Sequence, residues 1–95
     1  MRYIIIYDIS DDDLRSIIAK KLEDYGLRRV QFSSFVGELQ RYKLNSLIYE
    51  LKSIINGRKS ERKSIIVYPL CDSCYSRGVD IGNNTKKKES DTIVF

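Results

Sequence analysis

A carboxylate closes the first apolar stretch of the chain. Residues Tyr3 to Tyr7 are all β-branched or aromatic, and Asp8 follows them directly. Because side chains alternate with period two along a strand, we expect Asp8 on the same face as Ile4 and Ile6. Such an acid either takes part in chemistry or caps the strand by accepting backbone N–H bonds from the next turn.

The residue types that are absent narrow the possible chemistry. The 95-residue sequence contains no histidine, which excludes Ser/His and Cys/His nucleophilic catalysis and histidine-based zinc sites. Carboxylates, lysine, tyrosine and metal-bound water remain as catalytic groups. Cys71 and Cys74 form one Cys-x-x-Cys pair, which is structural or incidental, forms a disulfide, or supplies two of four thiolates shared across a dimer.

Length and charge indicate the class of protein. A chain of 95 residues predicts a single domain with a small core, which a partner subunit would help to stabilise. The net charge of +4 favours polyanions, with nucleic acid preferred over a membrane surface. No apolar run approaches the roughly 18 residues of a membrane span, and Met1 leads directly into a strand without a secretion signal. We therefore expect a cytoplasmic protein.

A helix is predicted after the first strand. Ser10 and Asp13 fit a variant of the capping box, so we expect Ser10 at the N-cap and the acids at the positive end of the helix dipole. Gly26 is expected to end this helix. Its apolar face has residues at three- and four-residue spacing, namely Leu14, Ile17, Ile18, Leu22 and Tyr25.

The rest of the chain predicts three further strands, a second helix and one last short strand. Two short strands, Arg28 to Ser33 and Phe35 to Leu39, reverse near Ser33–Ser34. The second helix stops at Asn56–Gly57, and its apolar positions are Leu44, Leu47, Ile48, Leu51, Ile54 and Ile55. The remaining segments are a strand over Ser64 to Leu70 with Pro69 at its end or at a sheet edge, a loop through the cysteines, a short strand within Gly78 to Gly82, and a polar tether before the apolar Thr92 to Phe95.

This order predicts an α+β, ferredoxin-like βαββαβ fold with a C-terminal extension strand. Both helices then cover one face of an antiparallel sheet. We assign residues 1–82 to this domain and residues 83–95 to a tail. The first strand is apolar on both sides, and the helices cover only one of them. A second copy laid against the open face is the simplest cover, which predicts a homodimer with Asp8 near its interface.

Four segments in this order resemble the CRISPR-associated protein 2 family. They are Tyr7-Asp8-Ile9 at the end of the first strand, Arg29-Val-Gln-Phe-Ser33 in the second, Phe35-Val-Gly-Glu38, and Ile66-Val-Tyr-Pro-Leu70. The resemblance spans about residues 2 to 82. It implies a ferredoxin-like homodimer that acts as a magnesium-dependent nuclease on RNA or DNA, with manganese as a possible substitute. It also implies a central place beside CRISPR-associated integrase subunits during spacer acquisition.

The resemblance also assigns residues to the site. It implies that Asp8 is a metal ligand and that Tyr7, Arg15, Arg29 and Phe35 contribute to activity. Some relatives carry a second basic residue two positions after Arg15, and here that position is Ile17. The assignment of Asp8 is chemically reasonable, because Mg²⁺ prefers oxygen ligands and is bound by one or two carboxylates together with substrate phosphate.

Several basic residues are candidates for binding nucleic acid. The loop Gly57 to Lys63 carries four basic residues and one acid, and Arg58 and Lys59 are its predicted phosphate contacts, together with Arg15 and Arg29. Arg28 and Arg29 are expected on opposite faces of their strand. Three functions stay open: a metal-dependent endonuclease, a non-catalytic dimeric adaptor that binds DNA and docks integrase subunits, and a metabolite-binding regulatory module. The third lacks a Gly-rich phosphate-binding loop.

Overall fold

The structure is a computed structural model that describes residues 1–82 and the backbone of Ile93–Val94. The predicted tether and most of the tail lie outside these residues. Within the described part no helix is both long and apolar enough to cross a membrane. The elements in chain order are β1 (Arg2–Ile9), α1 (Asp12–Asp24), β2 (Arg28–Gln31), β3 (Ser34–Glu38), α2 (Arg41–Asn56), β4 (Lys63–Leu70), α3 (Asp72–Ser76), β5 (Val79–Asp80) and β6 (Ile93–Val94).

The first four strands form one antiparallel sheet in the order β2-β3-β1-β4. This confirms the predicted ferredoxin-like arrangement, with β1 at the centre and β4 at an edge, where Pro69 is tolerated. β5 and β6 pair in parallel with each other, so the predicted short strand and the extension strand both form. The segment through the cysteines, predicted to be a loop, contains the short helix α3.

The core lies between the sheet and the two long helices. Its apolar side chains recur at helical spacing on α1 and α2 and at every second position of β1. Burial of each large side chain stabilises the fold by about 1.5–3 kcal/mol. The main members are Tyr3, Ile5, Tyr7 and Ile9 from β1, Phe35 from β3, Leu14, Ile18 and Leu22 from α1, and Leu44, Leu47 and Leu51 from α2.

Helix α1 begins one residue later than the sequence predicts. The Asp11 side chain accepts the Leu14 N–H at 2.8 Å and is the N-cap, so the assignment of Ser10 was wrong. The Ser10 hydroxyl instead lies 2.8 Å from the Ser60 hydroxyl and accepts the Arg62 N–H at 3.0 Å. Gly26 follows the helix with a φ of 86°, a conformation that favours glycine and confirms its role in ending α1.

The hairpin of β2 and β3 contains a bulge. Arg29 is opposite Phe35 and Gln31 is opposite Ser34, which leaves Val30 as an extra residue. The bulge brings the reversal forward to Phe32–Ser33, one residue earlier than predicted.

The far side of the sheet is open over β1 and β4. Ile4 is opposite Tyr68 and Ile6 is opposite Ile66, and paired residues share a face. Ile66 is 43% exposed and Tyr68 54% exposed. Toward the other end of this face, Tyr75 of α3 contacts two arginines. The Arg2 guanidinium lies 4.2 Å from its ring centroid, and Arg28 donates to its hydroxyl at 2.7 Å. The open apolar part of the face therefore centres on Ile6, Ile66 and their neighbours.

Candidate functional site at the end of strand β1

Two segments distant in sequence meet at the C-terminal end of β1. The Tyr7 N–H donates to the Ser33 carbonyl at 3.0 Å, which ties β1 to the β2–β3 turn. The Ser10 N–H donates to the Arg62 carbonyl at 2.9 Å, which ties β1 to the basic loop before β4. Helix α1 also begins here, at Asp12. One end of the sheet thus gathers the segments that carry most of the predicted site residues.

Asp8 lies on the open face of the sheet at this end. It is paired with Ser64 of β4, and its side chain is 63% exposed. The Arg62 Nε donates to its Oδ1 at 3.1 Å, and Arg62 is equally exposed. The prediction that Asp8 shares a face with Ile4 and Ile6 is confirmed, because Asp8 alternates with the buried Tyr7 and Ile9. An accessible carboxylate held by one guanidinium is the main chemical feature of this face.

Tyr7 and Phe35 lie on the opposite, helix-covered face. Their exposed fractions are 4% and 0%, and their ring centroids are 6.3 Å apart. The Tyr7 hydroxyl reaches the edge of the sheet, where it donates to the Phe32 carbonyl at 3.4 Å. In this chain, both aromatic side chains act as supports beneath the site. Phe35, for which the resemblance implies a contribution to activity, packs in the core.

Arg28 and Arg29 point to opposite faces, as predicted. Arg29 is opposite Phe35, and its guanidinium lies 4.9 Å from the Phe35 ring centroid. It also donates to the Phe32 carbonyl. Arg28 is opposite Val36 on the other face, where it contacts Tyr75. Arg29 is therefore the arginine of this pair that lies beside Tyr7 and Phe35, while the sheet separates its face from that of Asp8.

Arg15 extends from the first turns of α1 back over the end of β1. Its Nη1 donates to the Ile9 carbonyl at 3.0 Å and to the Ser10 carbonyl at 3.4 Å, and its Nη2 forms an ion pair with Asp12. Its guanidinium also lies 5.8 Å from the Phe32 ring centroid. The two hydrogen bonds and the ion pair fix the orientation of Arg15, so its charge is held at a defined point near the β2–β3 turn.

The basic loop borders the same end of the sheet. Arg58 and Lys59 are exposed, in agreement with the prediction of a solvated segment. Lys63 Nζ donates to the Arg58 carbonyl at 2.7 Å and to the Ile55 carbonyl at 2.8 Å, which fixes the start of the loop against the end of α2. The loop is thus an anchored element that carries positive charge.

The sequence interpretation did not single out Arg62 or Phe32. Arg62 contacts Asp8. The register of β1 with β4 would have indicated that Arg62 lies near Asp8. Phe32 was assigned to the interior of a strand. Phe32 lies in the turn because the bulge at Val30 shifts the register of the hairpin. The local sequence pattern around Val30 does not indicate a bulge.

The residues near Asp8 fit a magnesium ion only as part of a shared site. Among residues 1–82 no three His, Cys, Asp or Glu side chains cluster as metal ligands. Mg²⁺ binds one or two carboxylates together with waters and phosphate oxygens, so one exposed Asp8 per chain suits such a site. A second Asp8 would have to come from another copy of the chain. Arg62 would have to give up its contact with the carboxylate or bind the same phosphate.

Cys71 and Cys74 lie at the start of α3, away from this site. Both thiols are free and exposed. The Cys71 Sγ accepts the Cys74 N–H at 3.3 Å, and this hydrogen bond, with the Cys74 thiol beside it, lowers the pKa of Cys71. The hydrogen bond and charge of Cys71 raise the pKa of Cys74. No third ligand accompanies the pair among the described residues.

The fold and this site define a small ferredoxin-like protein with an exposed carboxylate and several fixed cations at one end of its sheet. Comparison with known proteins places it in a family. Residues 1–77 match the family described as CRISPR associated protein Cas2. The chain belongs to this family, which confirms the resemblance seen in the sequence.

Individual relatives agree over most of the chain. It is 39% identical over 83 residues to CRISPR-associated endoribonuclease Cas2 1 of Archaeoglobus fulgidus, covering 87% of this chain and 85% of that protein. It is 42% identical over 86 residues to CRISPR-associated endoribonuclease Cas2 4 of Rhodospirillum rubrum, covering 90% and 66%.

Solved structures share the fold. A hypothetical protein from Thermus thermophilus superposes with a TM-score of 0.64 at 31% identity, covering 74% of this chain and 80% of that one. Streptococcus pyogenes Cas2 gives a TM-score of 0.64 at 26% identity, covering 75% and 87%.

Proposed function

We propose that this protein is a metal-dependent endonuclease that hydrolyses phosphodiester bonds of single-stranded RNA or DNA and takes part in CRISPR spacer acquisition. The observation that carries the proposal is the exposed Asp8 carboxylate at the end of the sheet where Arg15, Arg29 and Arg62 also lie. These cations, with Arg62 beside Asp8 and Arg29 on the other face of the same sheet end, attract the phosphate backbone, and Asp8 offers an oxygen ligand that can hold a divalent cation against it. Relatives named as endoribonucleases support the same reaction class.

Each residue then has a separate task. Arg15 and Arg29 bind phosphate oxygens, while Arg58 and Lys59 extend the positive surface along the loop. Tyr7 and Phe35 hold the Phe32 turn and the Arg29 guanidinium from below. Asp8 is the residue that would hold Mg²⁺ or Mn²⁺, and such an ion supplies an activated water and neutralises charge on the phosphate.

We also propose that the protein works as a homodimer across the open sheet face. This face presents Ile4, Ile6, Ile66 and Tyr68, a patch that water covers in the isolated chain. Association of two copies through this patch buries apolar surface. The patch lies beside Asp8, because Asp8 continues the row of Ile4 and Ile6 along β1. A two-fold axis nearby would bring two Asp8 carboxylates to one ion.

A second candidate is a non-catalytic adaptor that binds DNA and bridges integrase subunits. The observation in its favour is the ion pair of Asp8 and Arg62 at 3.1 Å, which gives Asp8 a partner in the absence of metal. The two candidates share the fold, the dimer and the binding to phosphates. They differ in whether Asp8 is needed for bond cleavage or only ends the strand.

Asp8→Asn separates the two functions. The amide nearly preserves the side-chain volume but loses the charge that binds a divalent cation. Labelled single- and double-stranded RNA and DNA are incubated with wild type and mutant in magnesium, manganese or EDTA. For an active nuclease we expect cleavage only with the metals and a loss of at least about 100-fold in rate for the mutant. Asp24→Asn, at the far end of α1, is the matched control for losing one surface carboxylate.

The results of these assays distinguish the nuclease from the adaptor. Cleavage by Asp8→Asn at the wild-type rate contradicts the metal assignment. If neither protein cleaves any substrate, but both support spacer integration with the integrase subunits, the adaptor is correct. Binding titrations of both proteins at several salt concentrations test the phosphate contacts, because binding to the phosphate backbone must weaken as the salt concentration rises.

A further inference from the structure

Phe32 is an exposed apolar ring in the turn between β2 and β3. Of the two phenylalanines that the structure describes, Phe35 is fully buried and Phe32 is 72% exposed. It occupies the tight turn between β2 and β3, a position where polar residues and glycine are usual. A single exposed apolar side chain is ordinary on a protein surface, so what sets Phe32 apart is its fixed turn and the arginines beside it.

The turn that carries Phe32 is held in place by the residues beneath it. The Phe32 carbonyl accepts hydrogen bonds from the Tyr7 hydroxyl at 3.4 Å and from the Arg29 guanidinium. The next carbonyl, that of Ser33, accepts the Tyr7 N–H at 3.0 Å. Tyr7 itself is 4% exposed and fixed by the core. The backbone of the turn is therefore preorganised, which lowers the entropy that a binding partner would have to remove.

Two arginines give the surroundings of Phe32 a positive charge. Arg15 lies with its guanidinium 5.8 Å from the Phe32 ring centroid, and Arg29 is bound to the Phe32 carbonyl. Asp12 forms an ion pair with Arg15 and offsets part of this charge. Arg29 contacts a carbonyl and an aromatic ring, and within residues 1–82 no carboxylate forms an ion pair with it. A flat apolar ring with one guanidinium near the ring and a second at its backbone carbonyl matches a ligand with a flat apolar face and negative charges close to it.

We infer that Phe32 is a stacking platform for one unpaired base of a single-stranded nucleic acid, with Arg15 and Arg29 contacting the phosphates that flank this base. Every base has a π-face that stacks on an aromatic side chain, whereas bases within a duplex are already stacked on each other. The inference rests on the proposed function in that the ligand is a nucleic acid. It adds to the phosphate contacts one residue, Phe32, that selects for an unpaired base.

Binding measured without cleavage tests this inference. Fluorescence anisotropy in EDTA gives the affinities of wild type, Phe32→Ala and Phe32→Tyr for a labelled single-stranded RNA, the DNA of the same sequence, and the duplex. We expect Phe32→Ala to weaken single-strand binding about tenfold and to leave duplex binding unchanged. Phe32→Tyr should retain most of the affinity, because it keeps the ring. Tyr49→Ala is the matched control, because Tyr49 is also 72% exposed but lies on α2.

A spectroscopic signal distinguishes stacking from a general loss of affinity. With 2-aminopurine in the oligonucleotide, wild type should quench its fluorescence at saturation, and saturated Phe32→Ala should not. The slope of affinity against salt should stay the same in Phe32→Ala, because the phosphate contacts remain. Thermal unfolding of both variants verifies that the fold is intact.

Three results would overturn the inference in different ways. Equal single-strand affinity of wild type and Phe32→Ala removes Phe32 from the binding site and leaves the Asp8 proposal untouched. A Phe32→Ala variant that binds normally but fails to dimerise assigns the ring to a protein interface. A wild type that binds no nucleic acid contradicts the inference and the proposed function together.

Discussion

The two faces of the four-stranded sheet have similar residues and different surroundings. On β1, Tyr3, Ile5 and Tyr7 point toward the helices and are 8%, 0% and 4% exposed. On the other face Ile66 and Tyr68 of β4 are equally apolar, yet they are 43% and 54% exposed. Composition alone does not distinguish the faces. The difference comes from α1 and α2, which lie against one side only.

The same contrast separates neighbours in the candidate site. Tyr7 and Asp8 are consecutive, but one packs in the core and the other lies on the open face. A motif that reads as one catalytic unit in the sequence is thus divided by the sheet. The helix-covered side supplies support through Tyr7 and Phe35, while the exposed groups that can bind a ligand are Asp8, the arginines and Phe32. Two experiments test this division, and a third tests the helix layer that produces it.

The largest effect is expected on the free energy of unfolding when the core phenylalanine Phe35 is truncated. Phe35→Ala removes a fully buried ring that contacts Tyr7 and Arg29, and such a change typically costs about 3–5 kcal/mol of unfolding free energy. Phe32→Ala, at an exposed position, should change this free energy by less than about 0.5 kcal/mol. Denaturant unfolding followed by circular dichroism gives both values. Similar losses of unfolding free energy in the two variants would contradict the assignment of Phe35 to the core and of Phe32 to the surface.

A charge on the open face tests the proposed dimer. Ile66→Asp adds a carboxylate at the centre of the apolar patch, where a partner would bury it without compensation. We expect dimerisation to weaken by more than about 100-fold while the monomer stays folded, because Ile66 is already partly exposed. Sedimentation equilibrium measures the change, and Tyr49→Asp on α2 is the control. A wild type that is monomeric at micromolar concentration would exclude the interface itself.

The smallest effect concerns a polar network at the rim of the helix layer. Glu50 accepts the Tyr25 hydroxyl at 2.6 Å and lies 2.8 Å from Lys21 Nζ. The Lys21 and Tyr25 hydrogen bonds hold the pKa of Glu50 below its usual 4.5, and the Glu50 contact raises the pKa values of Lys21 and Tyr25. Because the folded pKa of Glu50 is lowered, its contribution to stability is present above pH 4.5 and disappears as the pH falls through the folded value.

Denaturant midpoints between pH 7 and pH 3 measure this contribution. Wild type should lose more stability over this range than Glu50→Gln, which cannot titrate there. On the alkaline side the raised pKa of Tyr25 predicts the opposite trend, with stability lost as the pH rises above 10. Parallel pH curves for the two proteins would remove the network as a source of pH dependence. Glu61→Gln, at an exposed loop position outside this network, is the control for a change in surface charge.

Much of the fold could be predicted from local patterns. Apolar residues at helical spacing located both long helices, and the alternation along β1 put Asp8 on the face of Ile4 and Ile6 before any neighbour was known. Period two also put Arg28 and Arg29 on opposite faces. These features follow from the chain's own geometry over a few residues, which is why the sequence determined them.

Other features depended on contacts between segments far apart in the chain. Ser10 matched a capping pattern, but Ser60 and Arg62, fifty or more residues away, hold its hydroxyl, and Asp11 became the cap. The bulge that moves Phe32 into the turn is visible only once β2 is paired with β3. The partner of Asp8 likewise depends on the register of β1 with β4. Tertiary structure decided these points, because a hydrogen bond or a covered face needs a second surface that no local pattern specifies.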